Sequence, residues 1–330
     1  MFKYIMIVIL ILIVVGIYFV FWTPYPFVWL LRSKKEEQKE KGPQNIEDIK
    51  EGVHILPNLP YPSKYPQATY DLYLPKNKSI KHLIVWVHGG SFIAGTSQGV
   101  RNFAPMLANQ GYGVCAINYA YAPQYSFPTQ IKQLDKFLSY IQQKLKLENI
   151  LINDVVLGGD SAGANIVASY ASMYQNEDLI QKVKIQLHNS LSINGLLLFC
   201  GPYDLCEDFQ KDQFKQFRLF MKYIGWSYLG HKYWWRREEK RWASPLYHVH
   251  DCFPPTYICD GKKFSFLWQG QKLAEAIKEK GIFVKTRFYE DMSHEFQFEY
   301  RQFPVEAMQV YEDTLIFLKH ILKEEDENVK

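Results

Sequence analysis

The sequence predicts an α/β fold with a mostly parallel central sheet and helices on both of its faces. Strand-like and helix-like segments alternate from about residue 68 to the carboxyl end, as is typical of parallel strands joined by crossover helices. Several strand segments, such as Leu83–Val87, are continuously apolar, as expected for strands covered on both sides. The chain has 330 residues, of which 48% are hydrophobic, which is enough for one large domain with a full core.

Each element of this fold is predicted from a local pattern. Residues 68–74 alternate apolar and polar side chains, the later strands are apolar runs, and the helices repeat apolar residues on one face. The predicted strands are 68–74, Leu83–Val87, Tyr112–Ile117, Asp154–Leu157, Gly195–Cys200, Thr256–Cys259 and Phe283–Tyr289. The predicted helices are Arg101–Gln110, Phe127–Leu147, Ala162–Tyr174, Trp268–Lys280 and Val305–Lys323.

A long uncharged segment precedes this fold. Its first part, Tyr4–Trp22, has about the ~20 residues that cross the hydrocarbon core of a bilayer. A cleaved signal peptide would have a shorter apolar run followed by a small-residue cleavage site. We therefore predict a retained membrane anchor at residues 1–32, a polar tether at 33–50 and the α/β domain at 51–330.

The charges that flank the anchor favour a cytoplasmic α/β domain. Lys3 lies before the span, whereas Arg32, Lys34 and Lys35 follow it, and positive residues prefer the cytoplasmic side. A glycosylation sequon at 77–79 would count only if the domain is luminal.

An insert at about 207–242 interrupts the alternation of strands and helices. It is rich in aromatic residues, and Phe217, Phe220, Tyr223 and Ile224 fall at helical spacing. We predict a helical cap here, either packed on the body of the domain or acting as a lid over an apolar pocket near the membrane.

Charge and cysteine usage exclude several classes of function. The formal net charge is +4 and the basic residues form no long block, so no nucleic-acid partner is expected. The five cysteines show no CxxC or Cys/His spacing, so we predict neither a metal site nor a disulfide framework. The oligomeric state is not indicated.

A nucleophile-elbow pattern joins a predicted strand to a predicted helix. Gly159, Ser161 and Gly163 form Gly-x-Ser-x-Gly directly after Asp154–Leu157. Such a turn lifts a serine hydroxyl out of the sheet, and the glycines provide room beside it. The helix start at Ala162 directs N–H groups at the space where an oxyanion would form. We therefore predict that Ser161 is a nucleophile.

A serine nucleophile needs a base and further oxyanion donors, and both are present. Gly89 and Gly90 directly follow Leu83–Val87 in a His-Gly-Gly turn, so their N–H groups are predicted to join that of Ala162 in an oxyanion hole. Of the nine histidines, only His294 lies in the loop directly after the last predicted strand, where the order Ser, acid, His puts the base.

These motifs together resemble the α/β-hydrolases of the hormone-sensitive-lipase-like branch, also called GDXG carboxylesterases. The matching segments are His88-Gly89-Gly90, Gly159-Asp160-Ser161-Ala162-Gly163, Ser244-Pro245-Leu246, Pro254-Pro255-Thr256 and Met292-Ser293-His294. The resemblance implies an α/β-hydrolase fold and a Ser161/His294 esterase. The amino-terminal anchor is similar to that of membrane-bound arylacetamide-deacetylase-type members, which implies a luminal domain at the endoplasmic reticulum. This conflicts with the charge bias, and the side stays open.

The chain departs from the family pattern at the triad acid. Family members have an aspartate three residues after the glycine that ends the penultimate strand, and here that residue is Phe264. Asp260 at the strand end is the preferred substitute, Asp204 is the second candidate, and absence of an acid is the third. The family's glycine turn also has a third glycine where this chain has Ser91, which should change pocket width more than mechanism.

The combined prediction is a membrane-anchored serine hydrolase that cleaves carboxylic esters of small apolar molecules through an acyl-enzyme, with Ser161, His294 and Asp260 as its triad and no cofactor. One alternative is a ligand-binding protein of the same fold with weak or no catalysis. The other is an amidase or acyltransferase that uses the same residues, because pocket shape selects the leaving group and the acceptor.

Overall fold

The computed structural model describes residues 1–33, 42–77, 79–80, 82–207 and 215–323. The strands are β1 (Val53–Pro60), β2 (Thr69–Pro75), β3 (Leu83–Val87), β4 (Gly113–Ile117), β5 (Asp154–Asp160), β6 (Ser192–Phe199), β7 (Thr256–Lys263) and β8 (Val284–Ser293). The helices are α1 (Phe2–Trp22), α2 (Tyr25–Ser33), α3 (Ile46–Glu51), α4 (Phe103–Asn109), α5 (Thr129–Leu147), α6 (Ala162–Met173), α7 (Glu177–Val183), α8 (Lys215–Leu229), α9 (Glu239–Trp242), α10 (Leu267–Glu279) and α11 (Pro304–Leu322).

The strands form one sheet in the order β1-β2-β4-β3-β5-β6-β7-β8. The pairs β1–β2 and β2–β4 are antiparallel, and every pair from β4–β3 to β7–β8 is parallel. The predicted mostly parallel α/β fold is therefore confirmed. The unpredicted strand β1 adds an antiparallel edge.

Both faces of the sheet are covered, and β3 shows why its sequence is continuously apolar. Val85 belongs to a core shared with residues of α5, α6 and α10, whereas Ile84 and Trp86 belong to a second core shared with residues of α4 and α11. Successive side chains of a strand point to opposite faces, so a strand buried on both faces has no polar positions.

The carboxyl ends of the parallel strands lie along one edge of the sheet. The chain segments that follow β3, β5, β7 and β8 begin at His88, Ser161, Phe264 and His294. The connections along this edge therefore contain the nucleophile and base predicted from the sequence, which are far apart in the chain.

The uncharged amino-terminal segment forms two helices that differ in packing. In α1, Phe2–Phe19 is long and apolar enough to cross a membrane, and none of it is buried against the rest of the chain. In contrast, Val28 of α2 is fully buried, and Phe27 stacks on Tyr223 of α8 with ring centroids 4.7 Å apart. The break at Pro24 thus separates an unpacked helix from one that packs on the folded body.

Arg32 joins α2 to two loops of the folded body. Its Nε donates to the Ile93 carbonyl at 2.8 Å, and its Nη2 donates to the Ala122 carbonyl at 3.0 Å. The predicted tether at 33–50 also contains a helix, α3, whose Ile46 and Ile49 pack against the core. Residues 34–41 of that tether lie outside the described residues.

The helical spacing predicted in the insert is confirmed by α8. Ile224 is buried, and Phe217 packs against Phe266 with ring centroids 5.8 Å apart. Lys232, beyond α8, donates to the Phe21 carbonyl of α1 at 2.7 Å. Residues 208–214 of the insert lie outside the described residues. The cap therefore contacts both the helix predicted to enter the membrane and the loop after β7.

Candidate active site

Ser161 occupies a strained turn between β5 and α6. Its φ is 49° and its ψ is −116°, a region that residues other than glycine rarely adopt. Its N–H donates to the Phe199 carbonyl at 2.8 Å. A Cβ on Gly163 would lie 1.9 Å from the Val87 carbonyl oxygen, so this position accepts only glycine. The predicted requirement for glycine beside the serine follows from this close approach.

His294 lies directly after β8 and faces Ser161. Its Nε2 is 3.0 Å from Ser161 Oγ, a distance at which the imidazole can accept the hydroxyl proton. The His294 N–H donates to the Lys263 carbonyl at 3.0 Å, which fixes the loop. Burial lowers the pKa of His294, and the neighbouring charge of Glu295 acts in the opposite direction. A lowered pKa keeps the imidazole neutral, the form that accepts a proton.

The other nitrogen of His294 contacts a serine that no sequence motif indicated. Its Nδ1 lies 2.7 Å from Ser265 Oγ, and Ser265 Oγ donates to Asp260 Oδ1 at 2.5 Å. Phe264, at the position where the family has its aspartate, has a φ of 54° and is 63% exposed. Asp260, the preferred substitute acid, is therefore connected to His294 through the Ser265 hydroxyl.

Asp204, the second candidate acid, has other partners. Its carboxylate accepts hydrogen bonds from the Cys206 N–H at 2.8 Å and from the Tyr247 hydroxyl at 3.1 Å. These contacts fix the loop after β6 to the segment around Tyr247, so the geometry favours Asp260 over Asp204.

The predicted role of Gly89 as an oxyanion donor needs correction. The Gly89 N–H donates to Asp160 Oδ2 at 2.8 Å, so it is already engaged with a carboxylate. Asp160 also accepts from Trp86 Nε1 at 2.8 Å. The aspartate beside Ser161 thus fixes the glycine turn after β3, and the Gly89 N–H is not available to an oxyanion in this geometry.

Three backbone N–H groups near Ser161 are available to bind an oxyanion, those of Gly90, Ser91 and Ala162. Within the described parts of the chain, no hydrogen-bond acceptor is found for these three groups. Ala162 is the first residue of α6, where an N–H has no partner inside the helix. Gly90 has a φ of 106°, and a Cβ there would lie 2.1 Å from the Ala94 carbonyl oxygen. The tight turn thus requires glycine at this position.

His88 contacts the glycine turn that follows β3. It is 2% exposed, its ring stacks on Tyr119 with centroids 4.3 Å apart, and its Nδ1 lies 2.6 Å from the Gly89 carbonyl oxygen. Burial lowers the pKa of His88 to about 4, so the ring is neutral near pH 7 and donates from Nδ1. His88 is therefore a structural residue of the turn.

Two carboxyl groups, Asp160 and Glu295, lie side by side next to the turn. Burial and the nearby charge of Glu295 together raise the pKa of Asp160 to about 7, against the hydrogen bonds from Trp86 and Gly89. Like charges in a buried site disfavour double ionisation. Glu295 has a φ of 62°, which places it in a conformation that glycine usually adopts.

One cluster of potential metal ligands occurs among the described residues. Atoms of Cys200, Asp260 and His294 lie within 4.8 Å of one another. Both ring nitrogens of His294 are already hydrogen-bonded, to Ser161 and Ser265, and Cys200 Sγ accepts from Gln297 at 3.4 Å. We assign no metal to this cluster, because its donor atoms serve the hydrogen-bond network around the nucleophile.

The arrangement can perform nucleophilic acyl transfer. It has a hydroxyl beside a neutral base, a fixed orientation for that base, and available N–H groups at a helix start and a glycine turn. Ser161 is buried, with 8% of its surface exposed. This geometry is compatible with the roles predicted for Ser161, His294, Gly90 and Ala162, which stay predictions.

The chain is similar in sequence to one family model and to two named esterases. A family model described as the alpha/beta hydrolase fold matches residues 84–298. An esterase of Acinetobacter venetianus is 26% identical over 244 residues, which cover 72% of this chain and 75% of that protein. An acetyl esterase of Salmonella schwarzengrund is 28% identical over 145 residues, which cover 44% of this chain and 42% of that protein.

Solved structures share the fold at low sequence identity. Esterase B of Lactobacillus rhamnosis, in an inhibited form, superposes with a TM-score of 0.70 at 20% identity and covers 87% of this chain and 90% of that one. An esterase of the archaeon Pyrobaculum calidifontis has a TM-score of 0.67 at 18% identity, over 88% of this chain and 90% of that one.

The lowered pKa of His294 predicts how the reactivity of Ser161 depends on pH. Covalent labelling by a fluorophosphonate requires neutral His294, so the labelling rate should rise with pH through a midpoint below 6.5, the usual value. This rise should be absent in His294→Gln, which labels slowly throughout. The measurement is the labelling rate of the full-length chain in detergent from pH 4.5 to 7.5. A midpoint above 6.5, or an unchanged profile in His294→Gln, would contradict His294 as the base.

Proposed function

The chain belongs to the alpha/beta hydrolase fold family, and we propose that it is a serine carboxylester hydrolase held at a membrane by its amino-terminal helix. The observation that carries this proposal is the 3.0 Å separation between His294 Nε2 and Ser161 Oγ at a strained turn before a helix start. The names of the relatives, an esterase and an acetyl esterase, support carboxylic esters as the substrate class.

Acylation begins with attack of Ser161 Oγ on the ester carbonyl carbon. The hydroxyl proton moves to His294 Nε2 as the Oγ–C bond forms, and the carbonyl oxygen becomes an oxyanion. The N–H groups of Gly90 and Ala162, joined by that of Ser91, stabilise this charge. The tetrahedral intermediate then collapses, the bond from carbon to the alcohol oxygen breaks, and the leaving alcohol takes the proton from His294. The product is an acyl-enzyme on Ser161.

Deacylation repeats these steps with water as the nucleophile. His294 Nε2 takes a proton from water as the water oxygen attacks the acyl carbon, and the second oxyanion occupies the same N–H groups. Collapse breaks the bond to Ser161 Oγ, which recovers the proton from His294. The carboxylic acid leaves and the site is regenerated, with no group consumed beyond ester and water.

The surroundings of the site support apolar esters as substrates. The cap helix α8 packs its aromatic residue Phe217 against Phe266, and Phe266 lies edge-on to His294 with ring centroids 6.1 Å apart. Lys232 of the cap contacts the end of α1 at Phe21, so this aromatic region lies next to the helix proposed to enter the membrane. Esters that partition into a membrane would therefore meet the cap first.

The structure bears differently on the two alternative functions. The inactive, ligand-binding alternative rests on the absence of an aspartate at Phe264. The contacts of Ser265 with both His294 and Asp260 offer another way to connect an acid to the base, and so weaken this alternative. An amidase or acyltransferase would use the same groups, so only the measured preference for leaving group and acceptor separates these from an esterase.

The role of Ser161 is tested by ester hydrolysis in the full-length chain in detergent. Wild type should hydrolyse short- and medium-chain nitrophenyl esters, and Ser161→Ala should lose on the order of 10⁶-fold in kcat because the nucleophile is absent. Ser172→Ala is the matched control, since Ser172 is a buried serine of α6, the helix that follows Ser161, and its hydroxyl has no partner among the described residues. Activity retained in Ser161→Ala would exclude the proposed mechanism. Tight ester binding without turnover or labelling would favour the ligand-binding alternative.

The membrane anchor is tested by extraction and by the state of the amino terminus. The full-length chain should stay in the membrane fraction after alkaline carbonate washing, whereas a chain lacking residues 1–22 should be released, because α1 holds the apolar span. Mass spectrometry should find residues 1–22 still attached. A mature chain without them would instead indicate a signal peptide. A glycan lost in Asn77→Gln would place the domain on the luminal side.

A further inference from the structure

We propose that Ser265 is a positioning residue that connects the catalytic base His294 to Asp260 and so replaces the direct contact between histidine and acid. This inference rests on the proposed function, because it assigns a role in the same reaction. We call the contacts His294 Nδ1–Ser265 Oγ, at 2.7 Å, and Ser265 Oγ–Asp260 Oδ1, at 2.5 Å, the serine bridge.

When Asp260 is ionised and therefore only accepts hydrogen bonds, the Ser265 hydroxyl can serve both neighbours in one direction only. A serine hydroxyl donates one hydrogen bond and accepts up to two, and the Ser265 hydroxyl donates to Asp260. It must therefore accept from His294, which assigns the proton to Nδ1. The lone pair of His294 is then on Nε2, the atom that faces Ser161 Oγ. The serine bridge thus selects the tautomer that makes His294 a base.

Asp260 is held firmly enough to act as the fixed end of this bridge. It is 1% exposed. Its Oδ1 accepts from the Gly261 N–H at 2.8 Å, and its Oδ2 accepts from the Phe266 N–H at 3.1 Å. With the Ser265 hydroxyl, three donors converge on one carboxyl group at the end of β7. A carboxyl group oriented by three donors cannot rotate freely. It therefore fixes the position of the Ser265 hydroxyl, which in turn fixes the orientation of the His294 ring.

The loop after β7 explains why serine takes this place. Phe264 is 63% exposed with a φ of 54°, whereas Ser265 is fully buried. The left-handed conformation at Phe264 thus directs one side chain outward and the next one toward His294. In place of the aspartate expected at residue 264, the Ser265 hydroxyl contacts His294, and Asp260 contacts the same hydroxyl.

The bridge predicts a second ionisation that affects the reaction. Burial raises the pKa of Asp260 to about 8, against the hydrogen bonds from Ser265, Gly261 and Phe266. Ionised Asp260 polarises the Ser265 hydroxyl toward itself and favours the imidazolium that forms in the transition state. The rate should therefore rise again as pH passes about 8.

The buried thiols and the buried phenol around Asp260 do not ionise in the same range. Burial raises the pKa of the Cys200 thiol, the Tyr203 phenol and the Cys259 thiol well above their usual values, so these three stay neutral near pH 8. His294 is already neutral there, because its pKa is lowered. Asp160 and Glu295 also raise the pKa of Cys200 through their charge, and the variants below distinguish an effect of Asp260 from an effect of these two groups.

The test compares Ser265→Ala, Asp260→Asn and the double variant in the full-length chain. Above pH 8, where Asp260 is ionised, each single variant should lower kcat for nitrophenyl ester hydrolysis by on the order of 10²–10⁴-fold, as loss of histidine orientation does. The double variant should be no slower than the slower single one, because both substitutions break the same bridge. The rise in kcat/KM near pH 8 should be lost in both single variants. Ser265→Thr, which keeps a hydroxyl, should retain part of the rate that Ser265→Ala loses. Ser172→Ala should behave as wild type.

The outcomes separate this proposal from the proposed function. If wild type is active and Ser161→Ala is not, a Ser265→Ala variant with wild-type kcat and an unchanged pH profile would overturn the bridge alone. Multiplicative losses in the double variant, or loss of rate without loss of the rise near pH 8, would assign Ser265 a merely structural role. Fluorophosphonate labelling of Ser161 gives the same comparison without an ester substrate, and the midpoint of thermal unfolding identifies a variant that fails to fold.

Discussion

The structure of this site depends on one backbone constraint, the left-handed conformation of Ser161 between β5 and α6. Such a conformation costs on the order of 1–3 kcal/mol for a residue other than glycine, so the surroundings must hold it in place. The Ser161 N–H is fixed to the Phe199 carbonyl, and the backbone of Gly163 lies against the Val87 carbonyl with no space for a Cβ. The strained turn lifts the hydroxyl off the sheet, and it is held by contacts from β3 and β6.

A parallel sheet brings the partners of Ser161 together from distant parts of the chain. The carboxyl ends of parallel strands share one edge, and ligands of open α/β sheets bind beyond that edge. The glycine turn follows β3, the serine follows β5, Asp260 lies near the end of β7, and His294 follows β8. The cap and α2 close this edge from the outside. The helix predicted to enter the membrane contacts the cap at Lys232, which connects the proposed location of the protein with the proposed entry of its substrate.

The sequence predicted the parts of the fold and site that have strong local patterns. The alternation of strand and helix patterns predicted the mostly parallel sheet, and Gly-x-Ser-x-Gly predicted the turn at Ser161. The order Ser, acid, His along the chain selected His294 as the base. Ser265 could not be predicted, because a serine after an exposed phenylalanine has no motif and its contacts depend on how the loop folds. Gly89 was assigned wrongly because a sequence cannot show that the Asp160 carboxylate already accepts its N–H. The packed helix α2 was missed because its composition continues that of the anchor.

The most direct test of this account is a crystal structure of the chain after reaction with a phosphonate ester that mimics the tetrahedral intermediate. We predict a bond from phosphorus to Ser161 Oγ, with the phosphoryl oxygen at the N–H groups of Gly90 and Ala162. We also predict that His294 Nδ1 stays on Ser265 Oγ while Gly89 stays on Asp160. A phosphonate attached to another residue would contradict the account. So would a phosphoryl oxygen bound by Gly89, or a His294 ring turned directly onto a carboxylate.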